Sequence, residues 1–178
     1  MLSFEEIDVL LKTMIKPTRY AHTMGVVESA RELARIHGAD EDKCALAALV
    51  HDCAKSLSAE ELIDTVHRGK IPLYPGEESY TELLHAPAGA VIAKERFGIT
   101  DAEILSAVRH HTIGKKDMSV MELIIYLADY IEPGRSMHEG LSHVRELCKT
   151  DLHAAFTAAK ELTDAYCRSQ GREPFIFS

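Results

Sequence analysis

Apolar residues recur at three- and four-residue intervals along most of the chain, with polar residues between them, and no stretch alternates with a period of two. Helix-start signals sit in front of these stretches. The pattern S/T-x-x-E stands directly before such stretches at Ser3/Glu6, Ser58/Glu61, Thr100/Glu103 and Ser119/Glu122. In such a box the hydroxyl accepts from a free amide of the first turn while the glutamate reaches back to the cap. Pro17 can open a further helix that runs to Gly38, Asp40 can cap the next, and Pro87 fits the first turn of another that stops at Gly98. The pattern predicts helices near 4–14, 17–37, 41–54, 59–69, 87–97, 101–111, 120–131, 140–149 and 151–169. The fold class is therefore all-α, a compact single-domain helical bundle spanning 1–178. Residues 69–84, with Pro72, Pro75 and Gly76, form the longest expected irregular connection and are expected to border the active site.

Two predicted helices are apolar on every side, one through Cys44-Ala45-Leu46-Ala47-Ala48-Leu49-Val50 and one through Leu123-Ile124-Ile125-Tyr126-Leu127-Ala128. Such helices belong in the middle of a bundle. The first delivers His51 and Asp52, the second Asp129. An unpaired buried carboxylate costs several kcal/mol, so these side chains need a cation, a donor network or a cavity. His22 shares a stripe with Val26, Ser29 and Leu33 and faces the same interior. A lone inward histidine is usually a packing residue, but three inward histidine and carboxylate sites on separate central helices favour a metal. Mixed imidazole and carboxylate donors suit iron or manganese first and zinc second. His85 and the pair His110-His111 stand at predicted helix ends and can serve a second metal or the substrate. For His37, His67, His138, His143 and His153 surface or packing roles are expected.

Charge narrows the ligand. The formal net charge is -8 and the pI about 5.7, which argues against a broad basic surface for nucleic acid and leaves room for a local phosphate pocket. The longest wholly apolar run in the middle of the chain, 44–50, is far short of a membrane span, and the opening Met1-Leu2-Ser3-Phe4-Glu5-Glu6 has no export signal. Cysteines at 44, 53, 148 and 167 lack C-x-x-C spacing and read as reduced structural thiols, so a cytoplasmic location is expected.

Read in order, His22, His51-Asp52, His85, His110-His111 and Asp129 resemble the H…HD…H…H…D pattern of the HD-domain metal-dependent phosphohydrolases. Four stretches, Arg19-Tyr20-Ala21-His22, His51-Asp52-Cys53-Ala54-Lys55, Leu84-His85-Ala86-Pro87-Ala88-Gly89-Ala90 and Ala128-Asp129-Tyr130-Ile131-Glu132-Pro133-Gly134-Arg135, look like the bacterial YqeK family over nearly the whole chain. That resemblance implies a helical hydrolase that splits diadenosine tetraphosphate symmetrically into two ADP, using iron or a related metal. It implies His22, His51, Asp52 and Asp129 as metal ligands, and Arg19, Lys55, His85 and Arg135 near the nucleotide phosphates. His111-Thr112 fits the family's histidine-threonine pair, while His110 stands where relatives often carry an aromatic residue, so either ring can turn inward and His111 is preferred.

The chemistry agrees with these parts. A bound metal makes water a competent nucleophile at neutral pH, which Asp52 can hold or orient, and Lys55, three residues on, can meet charge developing on phosphate. Asp52 and Lys55 are thus the expected catalytic pair, with Arg135 adding a fork suited to phosphate. Composition alone leaves Lys55 and Arg135 as solvated charges. The partner expected is a small dinucleoside polyphosphate or an ADP- or GDP-like nucleotide, with no nucleic acid or membrane, and a homodimer is compatible. Two rivals stand beside this reading: an HD hydrolase of mononucleotides or cyclic nucleotides, and a helical metal protein that senses nucleotide or carries oxygen without hydrolysis.

Overall fold

The computed structural model describes residues 1–137 and 140–175; His138 lies outside the described residues. The elements are α1 Phe4–Met14, α2 Pro17–His37, α3 Glu41–Val50, α4 Ala59–Gly69, α5 His85–Phe97, α6 Ala102–His110, α7 Val120–Ile131, α8 Leu141–Cys148 and α9 Leu152–Ser169, with no strand among the described residues. The expected all-α class is what forms. Ser3, Ser58 and Ser119 each close a two-way capping box with the glutamate three residues on. Thr100 does not. Asp101 caps α6 instead, its carboxylate accepting from the Glu103 and Ile104 amides, because a charged acceptor one residue nearer suits the helix dipole better.

Two boundaries differ from expectation in ways that matter. The helix expected to reach 54 stops at Val50, and the chain continues in tight turns closed by Cys53 N–H to Val50 O and Lys55 N–H to Asp52 O. His51 Nδ1 takes the Ala48 carbonyl at 2.6 Å, the acceptor that the Asp52 amide would use in a continued α-helix. The helix expected from 87 begins at His85 and is approached through two 3₁₀ turns, Glu77–Ser79 and Thr81–Leu83. Arg109 holds that approach: its guanidinium meets buried Glu77 through two bonds of 2.9 and 2.6 Å and reaches the Pro72 carbonyl at 3.3 Å. A bidentate pair of this kind fixes both distance and orientation.

α3 lies in the middle, packed on α2, α6 and α7, while α7 also packs on α9. Leu49, Val50, Ile124, Ile125 and Leu127 are fully buried, each worth about 1.5–3 kcal/mol of removed apolar surface. Because α3 ends in the interior, His51 and Asp52 directly after it are buried as well, and so is Glu132 at the end of α7. Cys44, Cys53 and Cys148 are buried free thiols, pushed up to about 12 by burial, and Cys167 is also free. No helix of the described residues is long and apolar enough to cross a membrane.

Candidate metal centre

Helix ends converge on one point. α2 brings His22 and Arg19 from its first turns, the end of α3 brings His51, Asp52 and Lys55, α5 opens on His85, α6 ends before His111, and α7 carries Asp129 in its last turn. His51, His85 and His111 are aimed alike: Nδ1 of each lies 2.6–2.8 Å from the carbonyl three residues back, that of Ala48, Glu82 or Val108. A carbonyl can only accept, so Nδ1 carries the proton and Nε2 presents a lone pair to the interior.

Asp52 sits between two pairs of imidazoles. Its Oδ2 lies 3.5 Å from His51 Nε2 and 3.9 Å from His22 Nε2, while Oδ1 lies 3.2 Å from His85 Nε2 and 3.5 Å from His111 Nε2. The side chain is 4% exposed. His22 Nε2, His51 Nε2 and Asp52 Oδ1 are buried without a well-formed hydrogen bond. Orphaned buried polar atoms are costly and rare, and three that face one small volume fit a cation. His22, His51 and Asp129 can offer one ligand atom each, all within 4.8 Å of one another, and so can His51, Asp52 and His111. The donor set is therefore right for a transition metal, and two overlapping half-sites share His51.

The electrostatics are those of a site without free protons to spare. Burial alone would raise the Asp52 carboxyl, but His51, His111 and His85 outweigh it and hold it well below the usual carboxylate range. Asp129 is likewise lowered, against burial, by His22 and His51. Burial pushes His111 down to about 4, with His51 and His85 adding to the effect, so its ring is neutral at pH 7. His51 goes the other way, because the charge of Asp52 outweighs burial. Lys55 is lowered by burial of its ammonium, partly offset by Asp52.

Every sequence-derived candidate except His110 reaches this place. Arg19 donates to Asp52 Oδ2 at 3.0 Å, Lys55 Nζ lies 3.0 Å from His85 Nε2, and Arg135 reaches both the carbonyl and Oδ1 of Asp129 at 3.0 Å. His111 faces His85 at 3.2 Å between the Nε2 atoms. His110 turns away, toward the Ser106 carbonyl and Glu122. Two neighbours have no site role in the sequence reading, although Thr112 belongs to the histidine-threonine pair. Thr112 Oγ1 lies 3.2 Å from Nε2 of both His85 and His111, and buried Glu132 lies 3.2 Å from His22 Nδ1. Glu132 follows Asp129 by three positions, a spacing that puts both on one face of a helix end. A cavity of about 440 Å³, lined by His111, Asp129, Tyr130, Arg135 and Thr163 among others, opens on the cluster. It shares Tyr130, Arg135 and Thr163 with a neighbouring hollow of about 690 Å³ that adds Leu162 and Tyr166.

A helical fold with histidine and aspartate side chains gathered around one His-Asp pair defines a class, and the family model described as "HD domain" matches residues 19–134. The chain belongs to the HD domain family. Among its relatives is a protein of Halalkalibacterium halodurans named "Bis(5'-nucleosyl)-tetraphosphatase, symmetrical", 44% identical over 84% of this chain and 79% of its own. The Bacillus subtilis protein of the same name is 38% identical over 96% of this chain and 91% of its own. A crystal structure described as a predicted HD superfamily hydrolase involved in NAD metabolism, from Clostridium acetobutylicum, superimposes with a TM-score of 0.93 at 36% identity, covering 99% of this chain and 92% of that one.

Proposed function

We infer that this chain is a metal-dependent hydrolase that cuts bis(5'-nucleosyl)-tetraphosphates, diadenosine tetraphosphate first among them, symmetrically into two nucleoside diphosphates. One observation carries the reading. Asp52 stands between four imidazoles with Arg19, Lys55 and Arg135 at the rim, in a chain 44% identical to a relative named for that activity. We assign the metal to His22, His51, Asp52 and Asp129, with His85 and His111 left to the substrate or to a second metal. Iron is the proposed metal, with manganese and zinc as the alternatives that this donor set accepts.

A transition metal held by His22, His51, Asp52 and Asp129 would supply a lowered pKa for water and positive charge beside the phosphate. The residues do the rest. Asp52 orients the attacking water and keeps it in line with phosphorus. Lys55 and Arg19 approach the phosphates from the side of Asp52, and Arg135 exchanges its bonds to Asp129 for bonds to phosphate, where a fork of donors matches two oxygens. His111 and His85 present Nε2 to the same space, beside the phosphates or a second metal. The leaving nucleoside diphosphate is a stabilised anion, so a strong general acid is not required.

The hollow beside Arg135, about 690 Å³ and edged by Tyr130 and Tyr166, is of a size that holds a nucleoside. With one nucleoside diphosphate held there and its α- and β-phosphates on the cations, the scissile bond is the central one. The protein acts on small nucleotides as one domain, in the cytoplasm, where its free cysteines stay reduced. Incubating the metal-loaded protein with dinucleoside polyphosphates, mononucleotides and cyclic nucleotides separates the alternatives. Turnover confined to the tetraphosphate with ADP as product supports this function, preference for mononucleotides or cyclic nucleotides replaces it, and tight binding without turnover makes the protein a sensor.

A further inference from the structure

Three of the four inward histidines are aimed by a carbonyl of their own turn; the fourth is not. His22 lies inside α2, where the nearby carbonyls are already taken by helix hydrogen bonds, so its Nδ1 needs an acceptor from elsewhere. That acceptor is the carboxylate of Glu132, whose Oε1 lies 3.2 Å away. Asp129 Oδ1 lies 3.0 Å from the other end of the same ring, at Nε2. The last turn of α7 and the residue just after it thus place a carboxylate beside each nitrogen of His22.

The carboxylate is built in. Glu132 is 4% exposed, and its Oε2 accepts the Gly134 amide at 2.5 Å. A Cβ at Gly25 would stand 2.7 Å from that oxygen, and one at Gly134 would stand 2.9 Å from it, so room for the carboxylate depends on two glycines. Arg145 fixes the backbone beneath, donating to the Ile131 carbonyl at 2.9 Å and to that of Glu132 at 3.1 Å. Both oxygens of Glu132 therefore face N–H donors. A glutamine there would turn its own NH₂ against one of them.

We propose that Glu132 is a positioning residue for the metal centre: it accepts the His22 Nδ1 proton, holds the ring in the tautomer whose Nε2 lone pair faces the cluster, and strengthens that nitrogen as a metal donor. The role rests on the reading of His22 as a ligand. It is tested on the metal-stripped full chain by titrating Zn²⁺ against a chromogenic chelator, and by following thermal unfolding of the metal-free protein. Glu132→Gln is expected to weaken Zn²⁺ binding about 10- to 100-fold, the usual loss for an outer partner of a metal-bound histidine. Gly25→Ala gives the second arm, since alanine favours the helix but displaces Oε2. It is expected to stay folded without metal and still lower the affinity. Affinities of both variants within about twofold of the parent overturn the proposal. So does a Gly25→Ala protein of full affinity beside a Glu132→Gln protein that unfolds early, which would make Glu132 a packing residue. A parent that binds no Zn²⁺ overturns the metal centre itself, and this role with it.

Discussion

Asp52 is the residue on which the centre turns, because each of its oxygens faces a different pair of imidazoles and Oδ2 also accepts from Arg19. Asp129 pairs with His22 and Arg135 and lies in the last turn of a helix that is packed on its own account, so it is the cleaner probe. Asp129→Ala is expected to lose most bound metal and activity and to keep its helical circular dichroism, checked by metal analysis of the folded variant; full occupancy and turnover would remove Asp129 from the ligands. Lys55→Ala and Arg135→Ala should retain metal and lose about 10- to 100-fold in kcat/KM each, the size of one charged hydrogen bond to phosphate. Unchanged kinetics in both would return them to solvated charge. His51, Asp52 and Asp129 were legible in the sequence because polar residues on helices apolar all round are expensive, and His22 because it shares an inward stripe with Val26, Ser29 and Leu33. Glu132 was not, since its partner is a ring 110 positions away and only the fold brings the two together.

At the scale of elements, helix starts and helix ends were about equally legible, and the misses that matter are one of each, the start of α5 and the end of α3. A cap is a local device with its own residue types, and Ser3, Asp40, Ser58 and Ser119 all act as read; only at α6 did a neighbouring aspartate displace the expected threonine. The end of α3 depends on the His51 ring reaching the Ala48 carbonyl, which no sequence period records. The Arg109–Glu77 pair that orders the approach to His85 is equally nonlocal. α6 and α7 are joined by another buried group. Glu122 serves the capping box of α7 and also meets Lys115 at 2.7 Å and Ser106 on α6. Burial would raise its carboxyl, but His110, Lys115 and Ser106 outweigh burial and lower it below the usual range. A carboxyl lowered in the folded state stabilises fully above its ordinary value and loses that contribution as pH falls toward the folded value. Stability should therefore fall progressively as pH drops below about 5, and Glu122→Gln should flatten that part of the curve in urea unfolding. A parent and variant with parallel acid limbs would show that Glu122 carries no such linkage.

For the molecule as a whole, the formal net charge of -8 and the cationic rim of the centre describe different places. Arg19, Lys55 and Arg135 come from three separate segments and meet only because the helix ends beside them converge. A negative surface elsewhere limits nonspecific binding of polyanions, while a local cation cluster still recognises a short polyphosphate. The central claim is that one nucleoside diphosphate half is held while water attacks the phosphorus of the bond in the middle. Hydrolysis of diadenosine tetraphosphate in heavy-oxygen water, followed by mass analysis of the nucleotides, tests it directly. The account predicts ADP as the sole nucleotide product, with one ADP of each pair carrying the label on its terminal phosphate; ATP accumulating with AMP would contradict it.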